Sequence, residues 1–387
     1  MKVAIDVMSQ SPGHSTGALS WFLQFARAAP ARDPETDYVY FSGREDVDYY
    51  RQKSPTLRVI GIGWGNSRRA LRVLTEHLLL GPALALEDTD ILFHGGSGVA
   101  PLFLPKKLKL VLAVWGMQHV ADSDITVGRR MYRRLLFHAG LRRADAIVVN
   151  SAYTRDLLQA HYSDVRVPVE VVHHGVDLAL FHPGPLTAGE EADVMGKGIA
   201  APYVLFVGQL YPYKLLHILA EGFCRAVSRG GLPHRLVVCG SFSRSDGLGD
   251  GYRRRVEAIL ANVNLLDRLV LVEDVSVTQL RALYADAVLY VQSSAAETFG
   301  RTVIEAMACG APVLAARAGA TPEILGDAGI YYEAQDVQGC ADSIGEILSN
   351  HGLRNALVEK GLARAQRYSY DIEVARLIEL FHRVGNA

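Results

Sequence analysis

The chain has 387 residues, 49% of them hydrophobic and 21% charged, with 40 Lys and Arg against 41 Asp and Glu. Apolar content of that order fills two or three domain cores and excludes a disordered chain. A formal net charge of −1 argues against a bulk nucleic-acid binder, whose surface would be clearly basic.

Residues 2–8 read as a buried strand, followed by a glycine-bearing loop at 11–17. A helix over 18–29 then sets Trp21, Phe22, Phe25 and Ala29 on one face. The first ten residues carry Lys2 and Asp6 and lack an apolar run, so no secretory signal is expected. Further strands are predicted at 38–41, 57–62, 91–93, 108–115 and 146–150, with helix-period segments between them. Strands alternating with helices imply βαβ units and a parallel sheet covered on both faces. Residues 182–202 break the rhythm with Pro183, Gly184, Pro185, Gly189, Gly196, Gly198 and Pro202, a linker composition. A second series of strands follows at 203–207, 235–239, 269–272, 287–291, 312–315 and 330–332. Residues 370–384 place Ile372, Ala375, Leu377, Ile378 and Phe381 at helical spacing, a last helix that must pack on something.

The prediction is an α/β chain of two Rossmann-like lobes, 1–183 and 201–368, with a linker at 184–200 and a C-terminal helix, 369–387, returning to the first lobe. Through residue 185 there are 21 basic and 18 acidic side chains, so the first lobe is the slightly basic one. Cys224, Cys239, Cys309 and Cys340 match no zinc spacing and are expected as buried, reduced thiols. No uncharged run approaches the ~20 apolar residues of a spanning helix, so a cytoplasmic protein is expected.

Ligands of open parallel sheets bind beyond the C-terminal ends of the strands. The segment after strand 287–291 is therefore the most informative. Phe299-Gly300 makes a turn, a helix starts near Arg301 or Thr302, and Glu297 and Glu305 flank that start. Open amides at a helix start suit a phosphate or diphosphate. Two carboxylates beside them suit the hydroxyls of a sugar or ribose, and Gly300 lets backbone come close to a ligand. The plainer alternative is that Glu305 complements the helix dipole and Glu297 is a surface loop residue.

This segment, with Ala306-Met307-Ala308-Cys309-Gly310-Ala311-Pro312-Val313 after it, resembles the E-x7-E signature of retaining glycosyltransferase family 4. The resemblance extends over nearly the whole chain and is weakest between 40 and 90. It implies the GT-B fold, with two lobes facing an interdomain cleft, the second binding a nucleotide sugar and the first supplying most of the acceptor site. It further implies that Glu297 binds the donor hexose and Glu305 the nucleotide ribose. The amides from Phe299 through Gly300, Arg301 and Thr302 to Val303 would hold sugar hydroxyls and diphosphate. The donor is a nucleotide-diphosphate sugar, and no cofactor or metal is expected.

Other segments add to this picture. Gly208-Gln209-Leu210-Tyr211-Pro212-Tyr213-Lys214 follows the first strand of the second lobe. A lysine entering a helix is badly placed against the helix dipole, which favours a pairing with pyrophosphate over a solvated surface role. The family usually shows Gly-Arg where this chain has Gly208-Gln209. One cation of the leaving-group clamp is thus missing, with Arg244 and Arg301 the candidates to replace it. Gly13 and Gly17 resemble a family loop that faces donor phosphates and acceptor, although a plain βα turn fits them as well. His119, after strand 108–115, resembles a family histidine near the donor sugar, against the alternative of a structural residue. His94-Gly95-Gly96 is a weaker candidate for acceptor contact. His173-His174 marks the hinge and has no third ligand at metal spacing. Residues 128–145 carry Arg129, Arg130, Arg133, Arg134, Arg142 and Arg143, a solvated helix face or a contact for anionic lipid and a lipid-linked acceptor.

The resulting expectation is retaining transfer of a mannose- or rhamnose-like hexose or deoxyhexose to a glycan, lipid-linked or small-molecule acceptor, with Lys214, Glu297 and His119 in catalysis. A non-catalytic sugar-nucleotide-binding partner of another transferase is the alternative. A nicotinamide-dependent dehydrogenase lacks support, because neither lobe opens with Gly-x-Gly-x-x-Gly.

Overall fold

The computed structural model describes residues 1–10, 17–95, 99–117, 127–242 and 248–387. Two compact units emerge. One holds Met1–His173 with Asp371–Ala387, the other His174–Tyr370.

The first unit contains a seven-stranded, all-parallel sheet in the order β3-β2-β1-β4-β5-β6-β7. Its strands are β1 Lys2–Asp6, β2 Asp37–Ser42, β3 Arg58–Gly61, β4 Ile91–His94, β5 Lys109–Val114, β6 Ala146–Val149 and β7 Val169–Val171. Val3 to Ile5 and Leu110 to Ala113 are fully buried, as expected of strands covered on both faces. The helix Tyr370–Gly385 carries the chain's last residues into this unit. Its Phe381 ring meets Phe25 at 6.2 Å and Phe93 at 5.6 Å, and its buried Glu373 accepts from the indole of Trp21.

The second unit contains six parallel strands in the order β10-β9-β8-β11-β12-β13. They are β8 Tyr203–Val207, β9 Arg235–Cys239, β10 Leu269–Val272, β11 Leu289–Gln292, β12 Val313–Ala316 and β13 Gly329–Tyr332. In both sheets the order reverses beside the first strand of the unit. The crevice at such a switch point is where open α/β sheets take their ligands. In this unit it lies between β8 and β11, paired through Leu289–Val204 and Tyr290–Leu205.

Two expectations need correction. The first unit ends at His173, ten residues before the expected boundary at 183. The segment 184–200 is not a free linker either, since it contains the helix Ala188–Gly196. Val194 and Ile199 from this segment enter the core of the second unit. Arg281, 4% exposed, bonds Glu190 and the carbonyls of His182 and Gly184. A buried guanidinium with that many acceptors fixes the segment that a Pro/Gly composition suggested was loose. The four cysteines are unpaired and buried, and burial pushes the thiols of Cys239, Cys309 and Cys340 up to about 12.

Candidate functional site

The site grows from the loops after β8 and β11. After Val207, the backbone passes Gly208 and Gly240 so closely that a Cβ on Gly240 would lie 1.9 Å from the Gly208 carbonyl oxygen. Gln209 follows, exposed. A single 3-10 turn, Pro212–Lys214, ends at Leu215, whose φ of +51° opens the helix Leu216–Gly230. The loop after β11 grips this turn. The Ala295 amide donates to the Tyr213 carbonyl at 2.9 Å, and the Ser293 hydroxyl donates to the Lys214 carbonyl at 2.6 Å.

That grip sets one ion pair. Lys214 Nζ lies 2.7 Å from Glu297 Oε2, with the two side chains 15% and 16% exposed. Gln292, buried at the end of β11, donates its Nε2 to the same oxygen at 3.2 Å. Ser294 donates to Gln292 Oε1 and so fixes which end of the amide faces Glu297. The main chain of Glu297 is held from a third side, because Ala320 donates its amide to the Glu297 carbonyl at 2.8 Å. Gly319, with φ at +57°, allows this. A Cβ there would stand 2.2 Å from that carbonyl oxygen.

Gly300, at φ +98°, starts the helix Arg301–Ala308 without a side-chain cap. Thr302 in its first turn accepts from the buried Tyr290 hydroxyl at 2.8 Å. The Val303 amide already donates to the Gly300 carbonyl at 3.0 Å. Phe299 and Val303 point inward, 3% and 0% exposed. The Phe299 ring packs edge-on against His174 at 5.3 Å and Tyr368 at 6.2 Å, so His174 serves as a packing partner.

Glu305 is 6% exposed. Its two oxygens accept from Arg301 Nε and the Tyr284 hydroxyl, each at 3.1 Å. Burial raises its pKa above the ordinary carboxylate value, opposed by the Arg301 charge and the Tyr284 and Arg301 hydrogen bonds. Arg301 is thereby engaged with Glu305, the residue it flanks.

The structure thus brings together Lys214 and Glu297 and places Gly208, Gly300, Thr302, Arg301 and Glu305 around the same two strand ends. Sequence reasoning missed Gln292 and the Gly319-Ala320 turn. A glycine three residues after β12, just before a helix with Pro322 in its first turn, was the available signal. His119, Gly13, Gly96 and Arg244 lie outside the described residues. Gly17 opens the helix Gly17–Arg32. His94 is 1% exposed, with Nδ1 at 2.8 Å from Asp6 and Nε2 at 3.0 Å from the Val99 carbonyl. Both ring nitrogens are taken by the protein, so the ring fastens β4 to β1 and is not presented to an acceptor. Of the arginine run, Arg143 donates to the Leu108 carbonyl and Arg134 is exposed. Among the described residues no group of three His, Cys, Asp or Glu side chains could hold a metal.

Comparison with known proteins bears on this arrangement. The family model for glycosyl transferases group 1 matches residues 191–364, and that for glycosyltransferase family 4 matches 16–180. A D-inositol 3-phosphate glycosyltransferase of Corynebacterium urealyticum is 29% identical over 64% of this chain and 59% of its own length. The chain thus spans about three fifths of the length of the curated relatives it matches. Among solved structures, the sucrose-phosphate synthase of Thermosynechococcus elongatus superposes with a TM-score of 0.79 at 20% identity, covering 99% of this chain and 98% of its own. Anabaena HepE in complex with UDP and glucose gives 0.73 at 19% identity, covering 99% and 100%. At such identities the structures speak for the fold alone. Two family models, one on each of the two Rossmann-like units, show that the chain belongs to the group 1, family 4 glycosyltransferases with the GT-B fold.

Proposed function

We propose that the chain is a retaining, metal-independent hexosyltransferase that takes a nucleotide-diphosphate sugar at the β8/β11 switch point. One observation carries this reading. An ammonium and a carboxylate 83 residues apart meet at 2.7 Å beside the start of a helix, at the ends of two adjacent parallel strands. In the reaction Lys214 turns to the diphosphate, and the first-turn amides of the helix Arg301–Ala308 share its charge. Glu297, released from Lys214, accepts from hexose hydroxyls. Glu305, beneath the same helix turn, takes the ribose hydroxyls. The anomeric C–O bond breaks toward the diphosphate. An acceptor hydroxyl attacks the same face, and its proton passes to the departing phosphate oxygen. Lys214 stabilises the charge that grows on that oxygen.

A mannose- or rhamnose-like sugar and a glycan, lipid-linked or small-molecule acceptor remain our reading of the substrates. The Corynebacterium relative is named for a phosphorylated polyol, which supports a small polar acceptor. No helix among the described residues is long and apolar enough to cross a membrane. A cytoplasmic site of action, with peripheral contact through 128–145, fits the exposed Met131, Arg134 and Leu135 of the helix Val127–Arg143.

The test is a thermal-shift screen against UDP, GDP and dTDP, followed by transfer assays with the sugar nucleotide of the stabilising base. Wild type should turn over, and Glu297→Ala should lose at least a hundredfold. Undiminished transfer by Glu297→Ala would overturn the site. Nucleotide binding without hydrolysis or transfer would favour a non-catalytic binding partner, the reading to which the exposed Gln209 lends weight.

A further inference from the structure

Two tyrosines flank the proline of the turn that ends at Lys214. Tyr211 and Tyr213 are 37% and 42% exposed, while Leu210 and Leu215 on either side of them are buried in the core of the second unit. The two rings stack on each other, with centroids 5.8 Å apart and planes within 11°. Their turn is held at both ends. Leu210 donates its amide to the Ser241 carbonyl at 3.1 Å, and Lys214 donates its own to the Tyr211 carbonyl at 2.9 Å. Ala295 and Ser293 grip the carbonyls of Tyr213 and Lys214. Pro212 keeps Tyr211 extended, at φ −86° and ψ 153°. Paired aromatic rings left in water on a held turn, at the ligand end of the sheet, are placed for a contact outside the core.

The contacts run in a chain from the reaction centre. Glu297 meets Lys214 at 2.7 Å, the Lys214 ammonium lies 5.4 Å from the centre of the Tyr213 ring, and Tyr213 stacks on Tyr211. Glu305 is reached from Glu297 by another route, over the helix start at Gly300 and Arg301. The rings thus adjoin the cation for the diphosphate and the carboxylate for the hexose. In a same-face reaction the incoming hydroxyl hands its proton to the departing phosphate oxygen, so the acceptor lies against the diphosphate. That is beside Lys214, where the two aromatic faces stand. An aromatic face carries partial negative charge and attracts the C–H groups that line one face of a saturated ring. The phenol oxygens can donate to, and accept from, hydroxyls at the rim of such a ring. A pyranose or a cyclitol offers both features, whereas an open-chain polyol has no rigid C–H face.

We propose that Tyr211 and Tyr213 form a platform on which the ring of a carbohydrate or cyclitol acceptor stacks, and so restrict the acceptor to cyclic polyols. The proposal rests on the donor site described above and adds the surface that holds the second substrate. Because the turn is fixed in advance, little conformational freedom is lost when the ring docks.

Saturation-transfer NMR on the full chain, loaded with whichever of UDP, GDP and dTDP it binds, tests the platform. Methyl α-D-mannopyranoside and myo-inositol serve as the ring probes and D-mannitol as the open-chain control. Wild type should transfer saturation to the C–H groups of both rings and not to mannitol. Tyr211→Ala should weaken ring binding about tenfold, at unchanged nucleotide affinity and melting temperature. Tyr211→Trp, which keeps an aromatic face, should bind the rings as wild type does. Equal signals from mannitol, or none from either ring, overturn the proposal. So does a Tyr211→Ala protein that loses nucleotide affinity and keeps ring binding, the mark of a platform for the nucleobase. Should Tyr211→Ala lower the melting temperature, Tyr211→Leu, which keeps the bulk without the face, takes its place against Tyr211→Trp. The donor site is tested apart from this, because a wild type that binds no nucleotide refutes that reading, whereas nucleotide binding without ring binding refutes the platform alone.

Discussion

Replacing Lys214 by Met removes one half of a largely buried ion pair, and its effect on stability and turnover can be estimated separately. Breaking a fully buried pair costs about 3–5 kcal/mol, and losing an exposed one about 0–1. Here the side chains keep 15% and 16% exposure, and Glu297 retains the Gln292 donor at 3.2 Å. We therefore expect Lys214→Met to lower unfolding free energy by about 2 kcal/mol. Glu297→Gln should cost less, about 1 kcal/mol, because the ammonium still lies 5.4 Å from the centre of the Tyr213 ring. The double variant should cost less than the sum of the two, leaving a coupling of about 1 kcal/mol. On turnover, loss of a preorganised charge at the leaving group removes about 10²–10³-fold. Urea unfolding of the four proteins in the cycle, alongside initial rates of donor consumption, measures both. Stability effects that add to within about 0.3 kcal/mol would refute the ion pair. A Lys214→Met enzyme within tenfold of wild type would refute the role in leaving-group departure.

Three further outcomes follow from the geometry. Gly319→Ala should cost more than about 3 kcal/mol and abolish transfer, because its Cβ meets main-chain atoms of Glu297 at 2.2 and 2.7 Å, whereas Gly300→Ala meets nothing nearer than 3.6 Å and should cost only the left-handed backbone term of about 1–2 kcal/mol; chemical denaturation ranks the two. The buried Glu305 has its folded pKa raised above 4.5, so from pH 4.5 up to that raised value the folded state keeps a proton the unfolded state has lost. Wild-type stability should therefore fall as pH rises through that window, and Glu305→Gln should flatten the decline in unfolding curves taken from pH 4.5 to 8. Gln335, exposed and at φ +71°, should gain about 0.5 kcal/mol on replacement by Gly, read as a small rise in melting temperature.

The sheets were legible in the sequence because a parallel strand covered on both faces appears as an unbroken apolar run, as in residues 110–114. β7 was not, since Val169–Val171 is three residues long and only half-buried. The segment 184–200 has the composition of a linker, and what fixes it is Arg281, some ninety residues further along the chain. Composition reports what a segment contains and is silent on a distant guanidinium. The same limit applies to the helix Arg69–Leu78. Its periodicity shows that two faces differ, yet only the acceptors and donors at Trp64, Leu102 and Arg72 determine that the polar face goes inward.

The candidate site shows where local reading stops and topology takes over. Lys214 and Glu297 were each placed just after a strand by their surroundings alone. Nothing local says that those two strands are neighbours, because β9 and β10 intervene in sequence. The sheet puts β9 and β10 on one side of β8 and turns back to set β11 on the other. That reversal brings the turn ending at Lys214 beside the loop carrying Glu297, where Ala295 and Ser293 fasten their backbones together. The ion pair is thus a product of strand order. Ser293→Ala, which removes the hydroxyl that ties the β11 loop to the Lys214 carbonyl, should loosen the pair while leaving both charges in the chain.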